Sequence, residues 1–244
     1  MTGRETYNPE IAERWIGEIP RKILEVCPGD SYSYSGVDII LAGDLVDGEE
    51  IYPTHARHLQ LSVIDQTKGL VKALWRLTKE LQRLFGDARI VSVRGNHGRM
   101  SQSADERSNW DNMVYQQLAL LAEIEGDATL RMECSHGEFC NFEVNGWKGH
   151  VRHVAVPHDG TAAVRNKIGS WKQMHNFDFL VCGHYHNCGI LNYNDTMIIR
   201  NGAMMPQNDY AERLALGGSP RQIIFGVSTD HLPTFISYLT WKQH

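Results

Sequence analysis

The 244-residue chain has no apolar run approaching the ~20 residues that a membrane-spanning helix needs, so it offers no bilayer span. Its first residues, MTGRETYNPEIAERW, lack the apolar core of a secretory leader, which makes the cytoplasm the expected compartment. Positive charge is not in excess. With 24 Lys and Arg against 29 Asp and Glu, the net charge of -5 argues against a surface coated for duplex DNA and leaves room for a local basic patch. Five scattered cysteines (Cys27, Cys134, Cys140, Cys182, Cys188) make a poor disulfide framework and are read as reduced. Internal repeats and low-complexity linkers are also missing, and the length suits one domain spanning 1–244. What the chain does have is twelve histidines, several at the ends of apolar runs, where strands hand over to loops and α/β folds place ligands.

Asn8 followed by Pro9 reads as an N-cap with proline at the first helical position. The helix it opens should run to about Glu18 and be kinked or restarted by Pro20. VDIILAG (37–43) is a near-continuous apolar run, the mark of a strand buried on both faces. Leucines at 70, 74, 77, 81 and 84 predict a long amphipathic helix over about 61–85. Its opposite side carries Lys68, Lys72, Arg76, Lys79 and Arg83, read first as a solvated face and second as a nucleic-acid-facing stripe. A second apolar strand (Ile90–Val93), a helix near Asn109–Glu125, and strands around Thr129–Cys134 and Phe139–Val144 follow. Asn145-Gly146 signals a tight hairpin. A helix over TAAVRNKIGSWKQM, a strand in FDFLVCG, a hairpin from GILNYND to TMIIRNGA and two closing strands complete the chain. Early alternation of helices with buried strands, then late hairpins, predicts two packed sheets with helices outside.

Four strand ends bring polar residues to the same kind of edge: Gly-Asp-x-x-Asp (43–47), Gly-Asn-His (95–97), Pro-His (157–158) and Gly-His-x-His (183–186). Carboxylate, amide oxygen and neutral imidazole are mixed O/N donors that suit Mn, Fe, Zn or Ni. Taken singly, Gly-Asp at a strand end is more often a turn and Asn-His in a loop a helix cap. Among the histidines near the third cluster, alternation makes His150 and His153 ordinary strand residues, whereas His158 lies past the strand end; His158 is preferred as a ligand, with His153 next. CSHGEFC (134–140) matches no short zinc knuckle and is better explained as the entry to a hairpin.

GDLVDG, GNHG and GHYH, in that order, resemble the motifs of the calcineurin-like metallophosphoesterases, over about Val37 to Ile199. The resemblance implies an α/β fold, a four-layer α-β-β-α sandwich with two mixed sheets, and two divalent transition-metal ions, manganese first. GDLVDGEEIYP is similar to the small, exonuclease subunit of archaeal DNA polymerase D, while GNHGR followed by NWD and the ending IIFGV look more like phage-encoded metallophosphoesterases. For a phage-encoded protein the compartment would be the host cytoplasm. On this resemblance Asp44 bridges the metals, Asn96, His158 and His184 complete the second metal, and His186 ligates the first. His97 serves the leaving oxygen, Asp47 orients His97, and Arg99 binds substrate. The implied activity is phosphodiester hydrolysis by a metal-activated hydroxide, in a phage-type DNA exonuclease or nuclease acting on DNA or nucleotides. Alternatives are a phosphomonoesterase, a cyclic-nucleotide phosphodiesterase, or a catalytically impaired binding subunit.

The family's opening strand normally ends in Asp-x-His, and no Asp-x-His occurs in these 244 residues. The first central strand is therefore expected to be missing, which would leave the first metal with only Asp44 and His186, so that one ion in this chain stands as the alternative to the family's two. A truncated reading frame, an incomplete site and replacement by Asp230 and His231 all remain open. A bare neighbouring strand would need cover from a rearranged sheet, an oligomer or a second chain.

Overall fold

A computed structural model describes residues 7–29, 33–49, 55–101, 103–153, 162–206 and 219–242. His158 lies outside the described residues. The chain divides into two compact units, Asn8–Cys140 and Asn141–His244 with Met1–Tyr7.

The Asn8–Cys140 unit opens with α1 (Pro9–Val26), where the Asn8 side chain accepts from Ile11 N at 2.8 Å as an N-cap. Helix α1 runs without a break through Pro20 to Val26, so the chain does not restart there as one expectation had it. Proline lacks the N–H for Ile16 O, but Pro20 faces the buried side with Trp15, Ile16 and Ile23, so packing holds the helix together. Strands β1 (Gly36–Leu41), β2 (Asp87–Ser92) and β3 (Leu130–Cys134) form a three-stranded parallel sheet in that order. They are joined by α2 (Val63–Phe85) and α3 (Trp110–Glu125). Parallel strands need such crossovers, and consecutive crossovers bring the turns after β1 and β2 to the same sheet edge.

Strand β2 is central and buried throughout its last five residues, with Ile90, Val91 and the following Val93 wholly inaccessible. Each such side chain contributes roughly 1.5–3 kcal/mol of burial. Among the described residues no strand precedes β1, which is an outer strand of its sheet. Val37–Ile40 are consequently only half-buried, with Leu41 the one buried residue, instead of closed on both faces. Asp38 on β1 takes a two-point ion pair from buried Arg89, which also donates to Glu133 Oε1 at 2.9 Å, so one face of this sheet carries a charged triad.

Helix α2 begins at Val63 with Ser62 as N-cap and buries Val71, Leu74, Leu77 and Leu81. Three of the five basic residues on its other side are ion-paired on a solvated face. Arg76 reaches Glu13 at 2.8 Å, Lys79 reaches Glu125 at 2.9 Å and Arg83 reaches Glu80 at 2.7 Å.

In the second unit, β4 (Phe139–Val144), β5 (Trp147–Arg152), β6 (Phe179–Cys182), β7 (Gly189–Tyr193) and β8 (Thr196–Arg200) form a mixed sheet of order β4-β5-β6-β8-β7. Strand β5 runs parallel to β6 and β6 parallel to β8. Asn145 and Gly146 both adopt positive φ in the turn between β4 and β5, as a two-residue hairpin requires. Helix α4 (Ala162–His175) leads into β6, and Ile168 and Trp171 pack with Phe177, Leu180 and Ile198. The closing strands β9 (Arg221–Gly226) and β10 (Phe235–Thr240) pair antiparallel. No helix of the described residues is long and apolar enough to cross a membrane.

Candidate functional site

The apolar run of β1 ends at Leu41, and Val93 N donates to Leu41 O at 3.1 Å, so the turns after β1 and β2 start side by side. Gly43 (φ 84) and Asp44 (φ 53) then both take left-handed backbone. Glycine does this freely, and aspartate is among the few side chains that tolerate it. The two turns are in contact: a methyl group on Gly95 would overlap the backbone nitrogen and Oδ1 of Asp44. Val46 is buried and acts as the anchor of the first turn, leaving Asp44 half-buried and Asp47 exposed.

Asp44 Oδ1 accepts from His97 N at 2.7 Å. Asp47 Oδ1 lies 3.0 Å from His97 Nδ1, and Asp47 N donates to Gln66 Oε1 of α2 at 2.9 Å. With a carboxylate accepting at Nδ1, the proton sits there and Nε2 is the ring nitrogen left to face a reactant. The Asp47 hydrogen bond, aided by the charges of Asp44 and Asp47, raises the His97 pKa against the opposing effect of burial. Asn96 is half-buried between Gly95 and His97, and Arg99 is exposed, its backbone bridged to Asn109.

Beneath these turns lies a residue that sequence reasoning missed. Asp111, at 0% exposure in the first turn of α3, accepts from Asp44 N (2.9 Å) and Gly95 N (2.7 Å) on Oδ2, and from Leu45 N (3.0 Å) on Oδ1. Burial pushes its pKa up to about 6, assisted by the Asp44 charge and opposed by the three backbone donors. Asn109, the N-cap of α3, accepts from Asp111 N and donates to Gly95 O at 2.9 Å. The tripeptide NWD is visible in sequence, but an aspartate in a helix's first turn reads as an ordinary partner of the helix dipole.

In the second unit, histidines meet at the ends of β5 and β6. Gly183 N donates to His153 O at 3.1 Å, and His184 (φ 71) and His186 (φ 59) follow in left-handed turns. His184 Nδ1 lies 3.3 Å from His153 Nε2, with the rings edge-to-face. His153, 4% exposed, is thus placed beside His184, although alternation along the strand had ranked it behind His158. His150, by contrast, is a packed strand residue. It stacks on His175 and Phe177, accepts from Arg152 Nε at 2.9 Å, and is driven down to about 3 by burial and the Arg152 charge. His186 is exposed, its carbonyl taking Ala203 N at 3.0 Å. Asp230 and His231, weighed as a replacement pair, are exposed turn residues whose amides both donate to Ser228 Oγ. His136 is likewise exposed, next to Gln116.

The donor chemistry fits a transition metal. In the second unit two imidazole nitrogens face each other at 3.3 Å, and in the first a carboxylate is held by its partner turn beside the half-buried Asn96; each is a ligand type of borderline ions.

Comparison with curated proteins finds no match. Among solved structures, an archaeal phosphodiesterase is 12% identical, with coverage of 98% of each chain and a TM-score of 0.50. A hypothetical protein from Pyrococcus horikoshii is 10% identical over 96% of this chain and 84% of its own, with a TM-score of 0.51. Vps29 from Entamoeba histolytica, complexed with zinc, is 12% identical over 83% and 96%, with a TM-score of 0.41. The first two likenesses show a shared fold. The family model for calcineurin-like phosphoesterases matches residues 12–188, through GDLVDG, GNHG and GHYH, and the chain belongs to that family of metal-dependent phosphoester hydrolases.

Proposed function

We propose that the chain hydrolyses phosphodiester bonds in nucleic acid, with Asp44, Asn96, His184, His186 and either His153 or His158 as metal ligands. The observation that carries this reading is the Asp47–His97 pair beside Asp44, an imidazole whose proton position is fixed and whose free nitrogen can serve a leaving group. Bound divalent ions would supply Lewis acidity and a water of lowered pKa, manganese being the favoured ion. His97, whose pKa the Asp47 hydrogen bond raises, would in its imidazolium form give a proton from Nε2 to the departing ester oxygen and be left as the Nδ1–H imidazole. Asp47 keeps the ring oriented and stabilises its charge, and exposed Arg99 meets the phosphate.

Nucleic acid as substrate, and a phage-type nuclease in particular, is supported by the likeness of GDLVDGEEIYP and GNHGR with NWD to nuclease relatives. The α2 basic stripe lends little support, because three of its five residues, Arg76, Lys79 and Arg83, are already paired with acids. The test is to incubate the chain with manganese and labelled single-stranded DNA, duplex DNA, cyclic nucleotides and nucleoside monophosphates in parallel. Release of nucleotides from DNA alone is expected. Turnover of the small substrates with DNA left intact would move the chain to a phosphomonoesterase or cyclic-nucleotide phosphodiesterase. Metal bound with no substrate cleaved would make it a binding subunit.

A further inference from the structure

We infer that Asp111 is a positioning residue that holds the turns of Asp44 and Asn96 in ligating register. The inference rests on the metal-binding reading above and names what that reading requires of the scaffold. A carboxylate with no solvent exposure is costly unless its oxygens are satisfied by donors. Here both oxygens are used, and all three donors are backbone N–H groups of the candidate site: Asp44 and Leu45 from one turn, Gly95 from the other. The left-handed backbone at Gly43 and Asp44 turns two successive N–H groups toward one point, the kind of concavity that takes an anion. Asp111 occupies it with a fixed side chain, so the conformation of Asp44 is anchored by its amide while its Oδ1 accepts from His97 N.

The same carboxylate sits where α3 begins, and the Asn109 cap ties that helix to Gly95 O as well. Two turns from different strands therefore hang on one helix end. Asp44 and Asn96 donate their metal ligands from adjacent turns, so a shift between those turns alters the spacing of the ligand atoms directly. A merely structural aspartate would stabilise the unit without tuning affinity for an ion, and the two roles separate by experiment.

The measurement is manganese titration by calorimetry of the wild type, Asp111→Asn, Asp111→Ala and Gln82→Ala, each checked for folding by urea denaturation. Gln82 is buried in the same unit and donates to Asp127 and Thr129, away from both turns, so its loss matches a structural defect. The expected result is a Kd raised at least tenfold by Asp111→Asn and further by Asp111→Ala, with Gln82→Ala within twofold of wild type. Wild-type affinity in folded Asp111→Asn would overturn the positioning role and leave the metal site standing. No manganese binding by the wild type would instead remove the metal-binding reading, and this inference with it. Should the Asp111 variants not fold, hydrogen exchange on the wild type decides. The amides of Asp44, Leu45 and Gly95 should exchange as slowly as those of β2, and rapid local exchange at all three would refute the role.

Discussion

Gly95 is where the close approach of the two turns can be tested by adding one carbon. In Gly95→Ala the methyl group would overlap Asp44 N and Oδ1, neither of which can withdraw freely. Asp44 N is held by Asp111 at 2.9 Å and Asp44 Oδ1 by His97 N at 2.7 Å. Overpacking costs about 1–3 kcal/mol. Relief by moving Asp44 sacrifices a hydrogen bond to a charged group, about 1.5–3 kcal/mol, so the variant should lose about 2.5–6 kcal/mol in all. Gly126→Ala is the matched comparison, since its φ of 66 is unfavourable for alanine but no atom lies within 4 Å of the added carbon. Its cost should be about 1–2 kcal/mol. At a urea dependence of about 2 kcal/mol per molar, the midpoints should fall by about 2 M and under about 1 M respectively. Equal midpoints for the two variants would refute the packing of Gly95 against Asp44.

Arg89→Ala should destabilise the fold by about 3–5 kcal/mol, because it strands Asp38 and Glu133 beside a buried position, whereas Arg76→Ala, losing only an exposed pair with Glu13, should cost under about 1 kcal/mol. Urea midpoints of both variants check this. Asp47→Asn should bring the His97 pKa down toward its ordinary 6.5, as followed by imidazole NMR. The sign is that of a raised histidine: its stabilising contribution is complete below the ordinary pKa and fades as pH rises through the raised one, so Asp47→Asn loses stability on the acid side and approaches wild type at high pH. Asp44→Asn should abolish manganese binding and Asp47→Asn should spare it while slowing turnover; equal loss in both would merge roles that the geometry separates.

Much of the frame was legible because it depends on local signals. Asn8 and Asn109 cap helices, Gly126 ends one, and Asn145-Gly146 turns a hairpin, each through conformations that neighbouring residues do not alter. The strand-end clusters were legible for the same reason, since an apolar run that stops at Gly-Asp or Gly-Asn-His announces its turn. Features set by the partner strand or helix were not. The meeting of His153 with His184 follows from the β5–β6 register, in which Arg152 faces Cys182, His153 then comes level with Gly183, and His184 follows in the turn. The half-burial of β1 follows from its outer position. The pairing of Arg76 and Lys79 on the α2 face needed Glu13 and Glu125 from other helices. Asp111 was the hardest to see, because its burial is created by two turns that are 50 residues apart in sequence and meet only in the folded sheet.

The proposed cleavage of phosphodiesters depends on a metal site centred on Asp44. Its most direct test is the release of p-nitrophenol from bis-p-nitrophenyl phosphate by the purified chain, with manganese and after chelation, beside Asp44→Asn. The account predicts release that requires manganese and is lost in the variant. Release that survives both chelation and Asp44→Asn, or no release from the manganese-loaded wild type, would contradict it.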